Sequence, residues 1–175
     1  MSKIANPFER FNIEEAKYDP TENYGRFVIK PLERGFGVTL GNTLRRVLLS
    51  SLPGASTYAV EIEGAQHEFS ALDGIEEDVT TIILNLKQLV LKIDLDDLEN
   101  HVLEINVKGE KVVTGKDITC PSGVEVINPD VELAHVTKDG HLKMKLHVRN
   151  GRGFFTAEKN KILHPNLAAG VIATD

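Results

Sequence analysis

The sequence has no tryptophan, a single cysteine and only two methionines. Cys120 has no partner for an internal disulfide, and this cysteine usage is typical of a reducing compartment. No apolar run approaches the roughly 20 residues that a membrane-spanning helix requires. The amino-terminal stretch also lacks the apolar core of a signal peptide. We therefore expect a cytoplasmic, globular protein.

Basic residues are fewer than acidic residues, 20 against 26, and the formal net charge is −6. This balance argues against a protein whose main work is holding a phosphate backbone, although it leaves room for a small basic patch. The 175 residues suffice for one large domain or two small ones.

Signatures of catalysis and of nucleotide binding are missing as well. Gly35-Phe36-Gly37 followed by Gly41 matches neither a Walker loop nor the GxGxxG fingerprint, because Gly41 comes one residue too late. The six histidines form no HExxH motif, and the acidic run from Asp94 to Glu99 is best interpreted as a solvated turn. We expect no catalytic residue, no metal site and no cofactor in this chain.

An amphipathic helix is predicted over about residues 39–52, with Thr39 as the N-cap and Pro53 ending it. One arc of this helix carries apolar residues at helical spacing, which predicts either a core face or a self-association face. The opposite arc carries Arg45, Arg46 and Leu49 beside Asn42. A leucine between arginines indicates a docking surface, although a single exposed leucine is also common on any protein.

The rest of the chain predicts an α+β fold. Two strands are expected within residues 8–30, and many short strands after Gly54, where apolar and polar residues alternate. An apolar stripe predicts a second helix from about Ile75 to Leu89. Asp139-Gly140 predicts a hairpin turn with positive φ at the glycine, and residues 151–168 predict a loop. The histidines in strand-like runs are expected on solvated faces.

Four blocks of the sequence resemble one family. LERGFGVTLGNTLRRVLLSSLPG at residues 32–54 looks like the signature of the amino-terminal domain of the bacterial RNA polymerase alpha subunit. The blocks at 64–93 (GAQHEFSALDGIEEDVTTIILNLKQLVLKI), 118–130 (ITCPSGVEVINPD) and 150–155 (NGRGFF) resemble later blocks of that family, in the same order. The resemblance covers nearly the whole chain.

This resemblance implies two domains. Residues 1–54, with a strand stub at 171–175, would form the first part of a dimerisation domain, and residues 55–170 a mostly β insert domain with one helix. The chain would end before the family's second dimerisation helix and before its C-terminal DNA-binding domain. The implied function is non-catalytic assembly within a nucleotidyltransferase complex. Two alpha subunits would form a homodimer that recruits the beta and beta-prime subunits, with little direct DNA contact.

The resemblance also implies the residues that carry these roles. Contacts with beta and beta-prime are expected from Arg45, Arg46, Leu49, Lys87, Arg152 and Thr174. The dimer interface is expected to use Leu40, Leu44, Val47, Leu48 and Ser51. The alternative is a stand-alone α+β module that binds nucleic acid or a nucleotide. It would require a clustered basic face or a phosphate-binding glycine loop.

Overall fold

The computed structural model describes residues 10–21, 24–165, 167 and 170–175, and it confirms the α+β class. The chain divides into two compact units, Met1–Leu49 and Ser50–Asp175. In the part of the chain that the structure describes, no helix has both the length and the apolar character needed to cross a bilayer.

The first unit contains the two predicted strands and nearly all of the first helix. β1 (Asn12–Asp19) pairs antiparallel with β2 (Tyr24–Lys30). The helix α1 spans Phe36–Ser51, so it begins three residues before Thr39. The prediction of Thr39 as the N-cap is therefore wrong. Gly35, at φ 86°, makes the turn, and the N–H of Phe36 donates to the Glu33 carbonyl.

The second unit is mostly β. Its strands are β3 (Pro53–Ile62), β4 (Leu91–Ile93), β5 (His101–Lys108), β6 (Lys111–Thr114), β7 (Ile118–Thr119), β8 (Val124–Val126), β9 (Glu132–Val136), β10 (His141–Arg152) and β11 (Val171–Ala173). Among the described residues, its complete α-helices are α2 (Val79–Leu86) and α3 (Ala157–Leu163), and a short 3-10 helix spans Gly115–Asp117. The prediction that residues 151–168 form a loop is therefore wrong where α3 occurs.

One antiparallel sheet organises this unit. Its strand order is β7-β5-β10-β3-β4-β8, and β11 pairs with β3 as well. The strands β6 and β9 form a separate two-stranded ladder. The alternation predicted from sequence is confirmed in β5 and β10, where every second residue is buried from Leu103 to Val107 and from Leu142 to Val148. Each large apolar side chain removed from water in this way contributes about 1.5–3 kcal/mol.

The helix α2 covers part of this core with Val79, Ile82 and Leu86, all of which are buried. It is shorter than the predicted range of 75–89. Asp78 is its N-cap, and its carboxylate accepts the N–H of Thr81 at 2.8 Å. The residues before it are held by β9 instead, since the N–H of Glu76 donates to the His135 carbonyl.

The Asp139-Gly140 turn does not form the predicted hairpin. β9 pairs with β6, whereas β10 pairs with β5 and β3, and Gly140 has no positive φ. Gly140 is needed for a different reason. A Cβ at this position would lie 2.0 Å from the carbonyl oxygen of Gly74. Both glycines therefore permit a close backbone approach between the loop before α2 and the turn before β10.

The predicted domain boundaries stay a prediction. β3 starts at Pro53, so it runs across the expected boundary at residues 54–55. The expected stub at 171–175 supplies β11, which pairs with Ala59–Glu61 of β3 inside the second compact unit.

Gly140→Ala should destabilise the chain by about 1–3 kcal/mol, because the added methyl group meets backbone that has to move. Urea unfolding followed by far-UV circular dichroism measures the change. Gly54→Ala is the matched control, since a Cβ there meets nothing within 4 Å and the φ is not positive. Equal stability of the two variants would contradict a tight Gly74–Gly140 contact.

Candidate protein-interaction surfaces

No side chain of the apolar arc of α1 is buried among the residues that the structure describes. All residues of α1 are described, and none of them is buried. Leu40 is half-buried, whereas the other members of the predicted arc are exposed: Leu44, Val47, Leu48 and Ser51. These exposures favour the self-association face over the core face, and the assignment stays a prediction. An apolar face of this kind marks an interaction site or a liability to aggregate.

The opposite side of α1 combines charge with an apolar side chain. Arg45 and Arg46 are exposed, and Leu49 between them and the helix end is 63% exposed. Arginines next to an exposed leucine suit a surface that buries an apolar anchor inside a polar rim. α1 therefore presents two different surfaces, one apolar and one mixed.

A second group of expected contact residues meets in the second unit. Lys87 is the C-cap of α2, and its Nζ lies 2.8 Å from Oδ1 of Asp175. Both side chains are about two-fifths exposed, so water screens this pair and its contribution to stability is small. The hydrogen bond from Lys87 holds the pKa of Asp175 below its usual range, against a smaller effect of burial. No local pattern in the sequence indicates this pairing, because the two residues are 88 positions apart.

Thr174 stands beside Asp175 but faces the protein interior, with 5% of its area exposed. Its hydroxyl donates to the Thr57 carbonyl at 3.0 Å, and its N–H donates to the Tyr58 carbonyl at 2.9 Å. Its own carbonyl accepts from Nδ2 of Asn160 at 2.7 Å. Thr174 thus fixes the chain next to Lys87 and Asp175 and offers little area to a partner. Its expected role as a direct contact stays a prediction.

Arg152 is the last residue of β10, and it pairs with Pro53 of β3. It is exposed, and so is the neighbouring Phe154 at 72%. Gly153 between them adopts φ 72°, which turns the chain away from the sheet. This arrangement leaves an arginine and an aromatic side chain in solvent at one end of the main sheet.

Sequence reasoning missed a cluster around Tyr58. The register of β3 against β10 shifts so that His147 faces Ala59 and Val148 faces Thr57, which leaves Tyr58 as the extra residue of a β-bulge. The ring of His164 stacks on Tyr58 with centroids 4.2 Å apart, and His147 lies at 6.1 Å. The expectation of a solvated strand face is wrong for His147, whose Nε2 is buried.

The depressions lined by described residues of the second unit include the following two. One of about 800 Å³ lies along the edge formed by β4 and β8, and one of about 390 Å³ lies between α2 and β9. Within the described ranges, three or more histidine, cysteine or acidic side chains nowhere converge in a way that could hold a metal ion. Neither depression brings together a nucleophile with a positioned base.

The smaller depression contains an ion pair that joins the segment before α2 to β9. The carboxylate of Glu77 accepts from the backbone N–H of His135 at 2.7 Å and lies 2.5 Å from Nδ1 of its ring. The hydrogen bond that the His135 ring donates to Glu77 raises the pKa of His135, and the nearby charges of Glu77, Glu76 and Glu132 add to this. Burial alone would raise the pKa of Glu77, but the hydrogen bonds from His135 outweigh it and the pKa is lowered.

Together these features define an α+β protein, built on a mostly antiparallel sheet, whose amphipathic first helix is exposed on both sides. Residues 60–175 match the model of the RNA polymerase Rpb3/RpoA insert domain. The chain belongs to this family.

Two relatives extend the similarity over 167 residues, or 95% of this chain. Both are named DNA-directed RNA polymerase subunit alpha. The protein from Macrococcus caseolyticus is 53% identical and that from Staphylococcus saprophyticus is 52% identical. The chain spans about half the length of these curated relatives, 52% in each case.

His135→Gln should cost more stability near pH 5.5 than near pH 8.5. Because the pKa of His135 is raised in the folded chain, its protonated ring stabilises the fold. This stabilisation is complete below the ordinary histidine pKa of about 6.5, and it is lost as the pH rises through the folded-state pKa. Because the pKa of Glu77 is lowered in the folded chain, its carboxylate stabilises the fold above about pH 4.3. This stabilisation is lost as the pH falls through the folded-state pKa of Glu77. The pair therefore contributes most between these limits.

Urea unfolding of the wild type and the variant at both pH values measures the difference. His141→Gln is the control, because its ring hydrogen-bonds to the uncharged Asn106 and makes no ion pair with a carboxylate among the described residues. A cost of His135→Gln that is the same at both pH values would show that the ion pair adds nothing to the fold.

Proposed function

We propose that this chain is a non-catalytic assembly subunit of a DNA-directed RNA polymerase, a nucleotidyltransferase complex. In this proposal it associates with a second copy and serves as the platform for the beta and beta-prime subunits. The uncovered α1 is the observation that carries the proposal, because an amphipathic helix without a buried residue requires a partner to cover its apolar side. The names of the two relatives support the same assignment.

In this proposal the two sides of α1 bind different partners. The arc of Leu40, Leu44, Val47, Leu48 and Ser51 pairs with a second copy, since self-association buries apolar area without any other partner. The side with Arg45, Arg46 and Leu49 stays accessible in such a pair, because the two arcs point in opposite directions around the helix. It is assigned to the beta subunit.

The surface of the second unit is assigned to contacts with the large subunits as well. Lys87 and Asp175 lie together in solvent, and Thr174 holds the chain in place beside them. Arg152 is exposed at the end of β10. Charged side chains at such positions set the orientation and the association rate of a complex more than its affinity. Catalysis is assigned to the large subunits.

Arg46→Ala and Leu49→Ala should each weaken binding to purified beta subunit without unfolding the chain. Both side chains are exposed in the free chain, so truncation removes binding contacts and leaves no cavity. Anchor residues of this kind contribute about 2 kcal/mol or more, which corresponds to a roughly 30-fold higher Kd.

Titration calorimetry against the beta subunit measures the Kd, and urea unfolding confirms that each variant is folded. Leu98→Ala and Arg26→Ala are the matched controls, because both side chains are exposed and neither lies in α1. If the α1 variants bind beta as tightly as the controls do, this side of the helix is only a solvent-exposed face.

The chain should self-associate through the apolar arc, and the double variant Leu44→Ala/Leu48→Ala should weaken that association by about a hundredfold or more. The estimate follows from losing about 1.5–3 kcal/mol for each leucine removed from a buried interface. Sedimentation velocity across a concentration series measures the equilibrium.

Val38→Ala is the control for this experiment. Val38 is 71% exposed and lies in α1 on the side opposite the arc. A wild-type chain that stays monomeric at all concentrations would contradict the assignment of the arc, and an equal effect of Val38→Ala would point to non-specific aggregation.

A further inference from the structure

The helix α3 is attached to the sheet by polar groups rather than by an apolar face. Its only buried side chain is Asn160, which is 5% exposed. Its large apolar residues, Ile162 and Leu163, are 78% and 47% exposed. Apolar burial, which normally dominates helix docking, therefore contributes little here. The attachment of α3 depends on a few specific contacts.

Two residues one helical turn apart make these contacts. Nδ2 of Asn160 donates to the carbonyl of Thr174 at 2.7 Å. His164 is the C-cap, and its N–H donates to the Asn160 carbonyl at 3.0 Å. The ring of His164 stacks on Tyr58 with an interplanar angle of 24°. Positions four apart share one face of a helix, so Asn160 and His164 act together.

The surroundings of His164 are cationic. The Arg149 guanidinium lies 5.7 Å from the centre of the Tyr58 ring, and His147 approaches the same ring from β10. Two further charged groups act on His147, Glu61 of β3 and Lys145 of β10, and these two form an ion pair with each other at 3.5 Å. A proton on His164 would therefore add a cation beside Arg149 without gaining a carboxylate partner.

These surroundings disfavour a proton on either imidazole. Burial lowers the pKa of His164, and the charges of Arg149 and His147 lower it further. Burial also lowers the pKa of His147, where Glu61 opposes the effect and Lys145 adds to it. Nε2 of each ring is buried and has no hydrogen-bond partner among the residues that the structure describes. The helix end and the Tyr58 ring favour a cation, but burial and the neighbouring positive charge prevail.

We propose that α3 is a pH-sensitive latch, held on the sheet by neutral His164 and His147 and by Asn160, which opens when these imidazoles take up protons. The latch closes over the end of β11. Its opening removes the hydrogen bond to the Thr174 carbonyl and loosens Asp175, the partner of Lys87. Acidification thereby changes the surface around Lys87 without unfolding the main sheet.

The direction of the pH dependence follows from proton linkage. A histidine whose pKa is lower in the closed state than in the open state binds fewer protons when the latch is closed. The closed state is therefore fully favoured above the ordinary histidine pKa of about 6.5 and loses stability as the pH falls below it. Each pKa unit that separates the two states changes the closing equilibrium by a factor of ten.

Hydrogen exchange of the 175-residue chain, followed by mass spectrometry between about pH 8 and pH 5, tests the latch directly. After correction for intrinsic exchange rates, segments covering α3 and residues 171–175 should lose protection as the pH falls, up to tenfold for each pKa unit. A segment covering β5 should keep its protection, since it lies in the main sheet. The experiment needs no partner protein, so its outcome does not depend on the proposed function.

Two variants identify the groups responsible. Arg149→Gln removes the cation and changes no residue of α3. The latch should therefore stay closed at pH 8, and the loss of α3 protection between pH 8 and pH 5 should become smaller. His164→Gln should abolish most of the pH dependence, whether its latch is open or closed. His141→Gln, an exposed histidine at the start of β10, should behave as the wild type does.

Three results would overturn the proposal. The first is protection of α3 that does not change with pH in the wild type. The second is a loss that is equal in α3 and β5, which would indicate global unfolding. The third is the same pH dependence in Arg149→Gln and His164→Gln as in His141→Gln, which would assign the effect to other groups.

Discussion

The pairing of β3 with β10 places most of the functional groups of the second unit. The two strands run antiparallel from Ile62 and Met144 to Pro53 and Arg152. β10 also pairs with β5, and β3 also pairs with β4 and β11, so the central ladder sets the position of the remaining strands of the sheet. A shift of one residue in this ladder would exchange the buried and exposed faces along its length.

The β-bulge in this ladder has a specific consequence. It places three consecutive buried residues, Tyr58, Ala59 and Val60, in a strand that would otherwise alternate. The extra residue turns the Tyr58 ring towards His147 and His164. Thr57 and Tyr58 also supply the carbonyls that hold Thr174. A single irregularity in one strand therefore organises both the chain end beside Lys87 and the seat of α3.

The two compact units differ in the extent to which they bury their apolar residues. The second unit buries its large apolar side chains between the main sheet, α2 and the β6–β9 ladder. In α1, by contrast, a well-formed amphipathic pattern is present and no residue is buried. Helical periodicity normally reports the face that packs against the same chain. Here it reports an exposed face, which supports the proposed assembly function rather than a function inside a pocket.

The sequence by itself determined the elements whose signal is local. Apolar residues repeating every second position specified β5 and β10, and those repeating every three or four positions specified α1 and α2. The α+β class, the two-sided character of α1 and the family resemblance followed from such patterns. They could be recognised because period and composition are properties of neighbouring residues.

Only the tertiary structure decided features that join distant positions. The Lys87–Asp175 pair, the Gly74–Gly140 approach and the bulge at Tyr58 depend on how strands far apart in sequence align. The helix α3 was not predicted because it has no apolar stripe, and it is attached to the sheet through Asn160 and His164 instead. Register and close approach are decided by packing among residues far apart in the chain, and no local periodicity encodes them.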